Sequence, residues 1–123
     1  APKVSEELEW QLHALYLLGM EAYDSLANYI TPLARAGKLQ PAELGWLAWQ
    51  YHHLEPIPHA PMRWINQAVR EKSSYELLDT KAALKLKDGK PEQAQAVAEE
   101  ALKEARRNDQ TQKTRMLLKM VEN

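Results

Sequence analysis

The chain is predicted to be all-α, and three observations predict it. Apolar side chains recur at steps of three and four through most of its 123 residues, and no stretch alternates with period two over the length of a strand. Leu77 to Ala105 reads as a complete helical hairpin with its turn written in: Gly89 supplies a left-handed helix end and Pro91 a pre-set first turn. Small residues before that turn (Ala82, Ala83) and after it (Ala94, Ala98, Ala101) mark where two backbones approach closely. A hairpin of this size buries only one side of itself, so the rest of the chain is read as its neighbours.

Residues 5–36 are predicted to form one long leading helix. Ser5 is a hydroxyl cap followed by Glu6 and Glu7 in the positive first turn. The apolar steps Leu8, Leu12, Leu15, Gly19, Ala22, Leu26 and Leu33 run on across Gly19, with Thr31-Pro32 the first strong break and Gly37 the stop. Pro41 opens the first helix pair, 41–72. Its first helix carries Leu44, Leu47, Ala48, Tyr51 and Leu54 on one face. Three prolines between Glu55 and Pro61 interrupt it. Its second helix runs from about Ala60 to Lys72 with Trp64, Ile65, Ala68 and Val69 inward. A second pair, 74–107, is capped by Ser74. After a break at Asn108-Asp109, a capping helix, 110–121, carries Met116, Leu117, Met120 and Val121.

Composition bounds the function. Sixteen basic against seventeen acidic side chains leave a net charge of −1, which gives no electrostatic case for nucleic acid or an anionic membrane. Leu12 to Met20, the longest mostly apolar run, is too short to cross a bilayer. With no cysteine, disulfides and thiolate metal sites are excluded, while the redox compartment stays open. Ala1 in place of methionine points to a processed chain or a piece of a larger one. No nucleophile elbow, phosphate-cradling glycine loop or HExxH is present, and no carboxylate looks tuned for proton transfer, so catalytic residues and cofactors are read as none and the chain as not an enzyme.

A repeat lies within residues 44–98. Leu44 and Leu78, Ala48 and Ala82, Ala60 and Ala94, and Trp64 and Ala98 are each separated by 34 positions. On these residues the chain resembles the tetratricopeptide (TPR) family. The run Tyr75-Glu-Leu-Leu-Asp-Thr80, with Ala82-Ala83, Gly89 and Ala94, is most similar to the helical domain that follows thioredoxin-like domains in bacterial envelope proteins. The resemblance covers about Leu39 to Glu122. It implies TPR-like antiparallel hairpins in a right-handed solenoid and a non-enzymatic module that docks a protein, a peptide or a preceding domain of its own polypeptide. It also favours a periplasmic or envelope location, with a cytoplasmic one open. No redox activity carries over, because the CxxC motif is absent. Two departures stand out: Lys81 and Lys85 occupy positions where the family buries apolar groups. The asparagine with which family members clamp a terminal carboxylate is replaced by Trp49 and Ala83, so that clamp is not expected.

The predicted partner-binding residues are Trp46, Trp49, Tyr51, Lys81 and Lys85. Trp46 and Trp49 cannot both face the side of Leu44 and Ala48, so one of them is exposed as an anchor, paired with Tyr51 or Tyr23. Lys81 and Lys85, one turn apart, offer a basic strip to an acidic peptide, or else a solvated face with alkyl stems over apolar neighbours. The alternative function is binding of a small molecule or metal, through the Trp46/Trp49 face or the loop of His52, His53 and His59 with Met62. That loop lacks diagnostic ligand spacing, so no metal ligands are assigned.

Overall fold

The computed structural model describes residues 5–122, with the side chains of 108–118, 121 and 122 left out. Six helices follow one another, α1 (Glu6–Gly19), α2 (Tyr23–Arg35), α3 (Pro41–Trp49), α4 (His59–Glu71), α5 (Tyr75–Lys87) and α6 (Pro91–Glu122), with no strand among the described residues. The all-α expectation therefore holds. Consecutive helices pack as α1 with α2, α3 with α4 and α5 with α6, and the pairs meet through α2–α4, α3–α5 and α4–α5.

The leading segment is not one helix. The chain turns back after Gly19, with His13 of α1 set edge-on to Tyr29 of α2 at 4.3 Å between ring centroids. Three turns of the molecule share one hydrogen-bond pattern, the Schellman motif, in which two amides past the helix end reach back to carbonyls of its last turn. After α2, Gly37 and Lys38 donate to Ala34 and Leu33; after α5, Gly89 and Lys90 donate to Leu86 and Lys85. Those two glycines have φ of 71° and 75°. After α1, the same bonds run from Glu21 to Leu18 and from Ala22 to Leu17, and the left-handed position is held by Glu21 at φ 55°. Gly19, across which the apolar steps run on, is the last residue of α1 and does not take the left-handed conformation.

Pro32 also differs from expectation, lying inside α2 rather than ending it. The first helix of the 41–72 pair is shorter than its apolar face implied. After Trp49 the bonds tighten to spans of three residues, as Gln50, Tyr51, His52 and Leu54 donate to Leu47, Ala48, Trp49 and Tyr51. At the other end, α6 continues through Asn108-Asp109 to Glu122, so the capping helix 110–121 is not a separate element. The closing stripe proposed for it falls on side chains outside the described residues, apart from Met120, which is exposed.

The main core gathers Trp10 and Ala14 of α1, Leu26, Ile30 and Ala34 of α2, Leu44, Leu47 and Ala48 of α3, Trp64, Ile65 and Ala68 of α4, and Leu77 and Leu84 of α5. Tyr51 sits at its centre with no exposed surface. Its hydroxyl donates to the Tyr23 carbonyl at 2.7 Å, and its ring meets Trp64 edge-on at 5.5 Å. Two more side chains of α4 tie to α2: Trp64 Nε1 donates to Thr31 Oγ1 at 3.3 Å, and Gln67 donates to the Ala34 carbonyl at 2.8 Å. A smaller core of Leu78, Ala82, Val97 and Ala101 fills the α5–α6 pair, with Val69 packed against both. The repeat partners Leu44 and Leu78, and Ala48 and Ala82, are all buried. Ala98, expected at a close helix contact, is exposed, because α6 turns Ala94, Val97 and Ala101 inward instead.

A left-handed backbone costs a residue other than glycine about 1 kcal/mol, so Glu21→Gly should raise the urea-unfolding free energy by about that amount. In a continuous helix the same change would lower it by about 1 kcal/mol, and the sign separates the two. Burial, with Asp24 and Tyr23 adding to it, pushes the Tyr51 phenol well above its ordinary value. The folded chain thus keeps Tyr51 neutral while the unfolded phenol ionises near its usual pKa of about 10. Its stabilisation is complete below that pH and is lost as pH rises above it. Tyr51→Phe should cost about 1 kcal/mol at neutral pH for the lost hydrogen bond and should flatten the fall in stability between about pH 10 and 12.

Candidate functional site

Two separate surfaces carry the residues singled out from sequence. The first lies across α1, α3 and α5. Trp46, on the turn of α3 opposite Leu44 and Ala48, is 50% exposed, whereas Trp49 is half-buried and stacks on His52 at 4.4 Å. The expected split between these tryptophans is therefore present, with Trp46 the outer one. Trp46 stands between two grooves. One, of about 350 Å³, is walled by Trp10, Ala14 and Leu15 of α1 and Ala42 of α3. The other, of about 590 Å³, lies between α3 and α5, with Gly45, Trp49, Leu77 and Thr80 in its walls. Gly45 allows this close approach, since a Cβ there would stand 2.6 Å from Leu77 Cδ2.

Tyr51 is the correction on this side. Its ring is wholly interior, so it cannot touch a partner; it braces the helix that carries Trp46 and Trp49. Exposed apolar groups of α1 replace it, among them Leu8, Leu12 and Leu15 of the apolar steps read from the sequence. Leu12 and Leu15 are each 55% exposed and Met20 64%, with Leu8 and Tyr16 beside them. The signal was present: α1 is apolar on more than one face, and such a helix has two surfaces to cover. Trp10 and Ala14 take the inner one, leaving the leucines outside.

The second surface is the cleft between α4 and α5, of about 420 Å³, where Lys81 and Lys85 face Arg63, Asn66, Val69 and Arg70. Both lysines are half-buried, and Lys85 Nζ donates to Gln93 Oε1 at 2.8 Å. Burial, together with the positive charges of Lys90 and Lys81, holds the Lys85 ammonium below its ordinary pKa, partly offset by Asp88. The carboxamide oxygen of Asn66 is covered and has no donor among the described residues. The two arginines went unremarked in the sequence. Their seven-residue spacing sets them two turns apart on one face of α4. The structure therefore does not bring Trp46 and Trp49 together with Lys81 and Lys85: the pairs belong to different grooves.

Of the loop histidines, His52 and His53 are engaged in packing, whereas His59 is exposed at the start of α4. His52 lies on Trp49 with Nδ1 2.7 Å from the Trp49 carbonyl oxygen, and His53 is edge-on to Tyr23 at 5.2 Å. Among the described residues no group of three histidine, aspartate or glutamate side chains could hold a metal ion. No described helix is long and apolar enough to cross a membrane. No protein-family model, curated protein or solved structure matches the chain.

The exposure of Trp46 can be read directly. Acrylamide should quench a substantial fraction of the tryptophan fluorescence in the parent, and Trp46→Phe should remove most of that accessible fraction. Trp64→Phe should leave it in place, since Trp64 is buried.

Proposed function

We propose that the chain is a non-enzymatic docking module, a short right-handed solenoid of TPR-like hairpins that receives a protein partner, or an accompanying domain of its own polypeptide, on the face of α1, α3 and α5. The 34-residue spacing and the pairing of α3 with α4 and of α5 with α6 support the repeat reading. The observation that carries the docking reading is the half-exposed Trp46 standing between two apolar-walled grooves beside the open leucines of α1. Large exposed apolar patches mark interaction surfaces, and a tryptophan flanked by pockets is the usual form of an energetic anchor.

The occupant that fits is an amphipathic helix. Its apolar stripe would lie along Leu12, Leu15 and Trp46, with the grooves taking its larger side chains. Gln11 and Glu43, joined at 3.3 Å, provide a polar rim beside the smaller groove. The small-molecule and metal reading has less behind it, since the His52 and His53 rings pack on aromatic neighbours and leave His59 the one loop histidine without such a contact among the described residues.

A displayed library of helical peptides selected against the chain should enrich sequences with aliphatic residues at helical spacing. Trp46→Ala and Leu15→Glu should each weaken a selected peptide by at least about tenfold, or about 1.4 kcal/mol, with helicity by circular dichroism unchanged. Enrichment of no such sequence, or affinity indifferent to both changes, would count against the docking face.

A further inference from the structure

We propose that the cleft between α4 and α5 is a second binding site, for an extended acidic peptide segment of a partner protein, with Arg63 and Arg70 on one wall and Lys81 and Lys85 on the other pairing with its carboxylates. The inference rests on the reading of the chain as a docking module, but on residues of a different face from Trp46.

Charge makes the first part of the argument. The whole chain carries a net charge of −1, yet four cationic side chains line one cleft. Among the described residues none of the four forms an ion pair, and the one bond that holds any of them, from Lys85 to Gln93, is to a neutral amide. Like charges one turn apart on a helix repel, and Lys81 and Lys85 face the arginines as well. The arrangement therefore carries a cost that an anionic ligand relieves.

Spacing narrows the ligand. Arg63 and Arg70 lie about 10 Å apart along α4, and Lys81 and Lys85 about 6 Å apart along α5, from the rise of 1.5 Å per residue. A single small anion cannot reach both ends of such a strip. An extended peptide advances about 3.3 Å per residue, so carboxylates on alternate residues recur about every 7 Å and can meet cations along the whole cleft. Single-stranded nucleic acid is the weaker candidate, because its binding sites offer aromatic faces for the bases to stack on. Arg63, Asn66, Val69, Arg70, Lys81 and Lys85 include none.

The test is fluorescence anisotropy with three labelled probes: a peptide of about ten residues alternating glutamate with serine, its lysine counterpart, and an oligothymidylate of similar length. The glutamate peptide should bind, the lysine peptide should not, and raising ionic strength should weaken binding by about tenfold or more. Lys81→Glu/Lys85→Glu and Arg63→Glu/Arg70→Glu should each abolish binding, and the milder Lys85→Gln should weaken it, all with helicity retained. Trp46→Ala should leave it unchanged, so failure at the apolar face and failure here are read separately. Absence of glutamate-peptide binding overturns the proposal, as does binding that survives both double charge reversals. Tighter binding of the oligothymidylate would overturn the peptide assignment. Salt-sensitive self-association by analytical ultracentrifugation, lost in Lys81→Glu/Lys85→Glu, would overturn it too by giving the cleft to a second copy of the chain.

Discussion

The structure depends on one buried polar contact, the Tyr51 hydroxyl donating to the Tyr23 carbonyl. Tyr51 comes just after α3, Tyr23 begins α2, and the ring of Tyr51 meets both Tyr23 and Trp64 of α4 edge-on. Three elements are thus fixed against one another at a single point. An aromatic ring contributes large apolar area, and its hydroxyl needs a partner once water is excluded. The tightened turns after Trp49 bring Tyr51 to that place, and the proline-bearing segment that follows leads the chain into α4. The position of Trp46 on the outer side of α3 follows from the same anchoring, because Leu44, Leu47, Ala48 and Tyr51 take the inner side.

What the sequence disclosed followed the chemistry of its breakers. Gly37, Gly89, Pro41, Pro91 and Ser74 mark helix ends that the structure keeps, because each of those residue types meets a backbone need that others meet poorly. Glu21 met such a need without advertising it. Its turn uses the same two hydrogen bonds as the glycine turns, so the break was invisible to composition, and the apolar steps ran on across it. Asn108-Asp109 made the opposite error, since neither residue forbids a helix and α6 passes through them. Side-chain direction was hardest to read. On α1, leucine, tryptophan and tyrosine leave no polar face to show which side is inward, and Trp10 with Ala14 took the core position from Leu8, Leu12 and Leu15.

Lys81 and Lys85 shape the molecule as much as any apolar residue. Leu77 and Leu84 of α5 reach the main core, but Leu78 and Ala82 join Val97 and Ala101 in a separate one, with Val69 touching both. Apolar side chains at 81 and 85 could merge the two cores by drawing α4 onto α5. Ammonium groups cannot be buried there without partners, so Lys81 and Lys85 stay half-buried along the cleft between α4 and α5. Cationic side chains at 81 and 85, with Arg63 and Arg70 opposite, are in this sense what makes the cleft basic.

The α1–α2 pair bears a different burden. It meets the rest of the fold mainly through α2, while α1 buries Trp10 and Ala14 in the core, packs Leu17 and Leu18 partly against it, and holds Glu6 to Lys38 by a surface ion pair of 2.6 Å. Exposed ion pairs add little stability, so few buried contacts secure α1. Low local stability and an uncovered apolar face on the same helix are physically linked: the leucines that would pay for its docking point outward. A partner that covered them would stabilise the folded form in proportion to its affinity and concentration. On that argument, a helix secured by few buried side chains is also one whose packing a partner would complete.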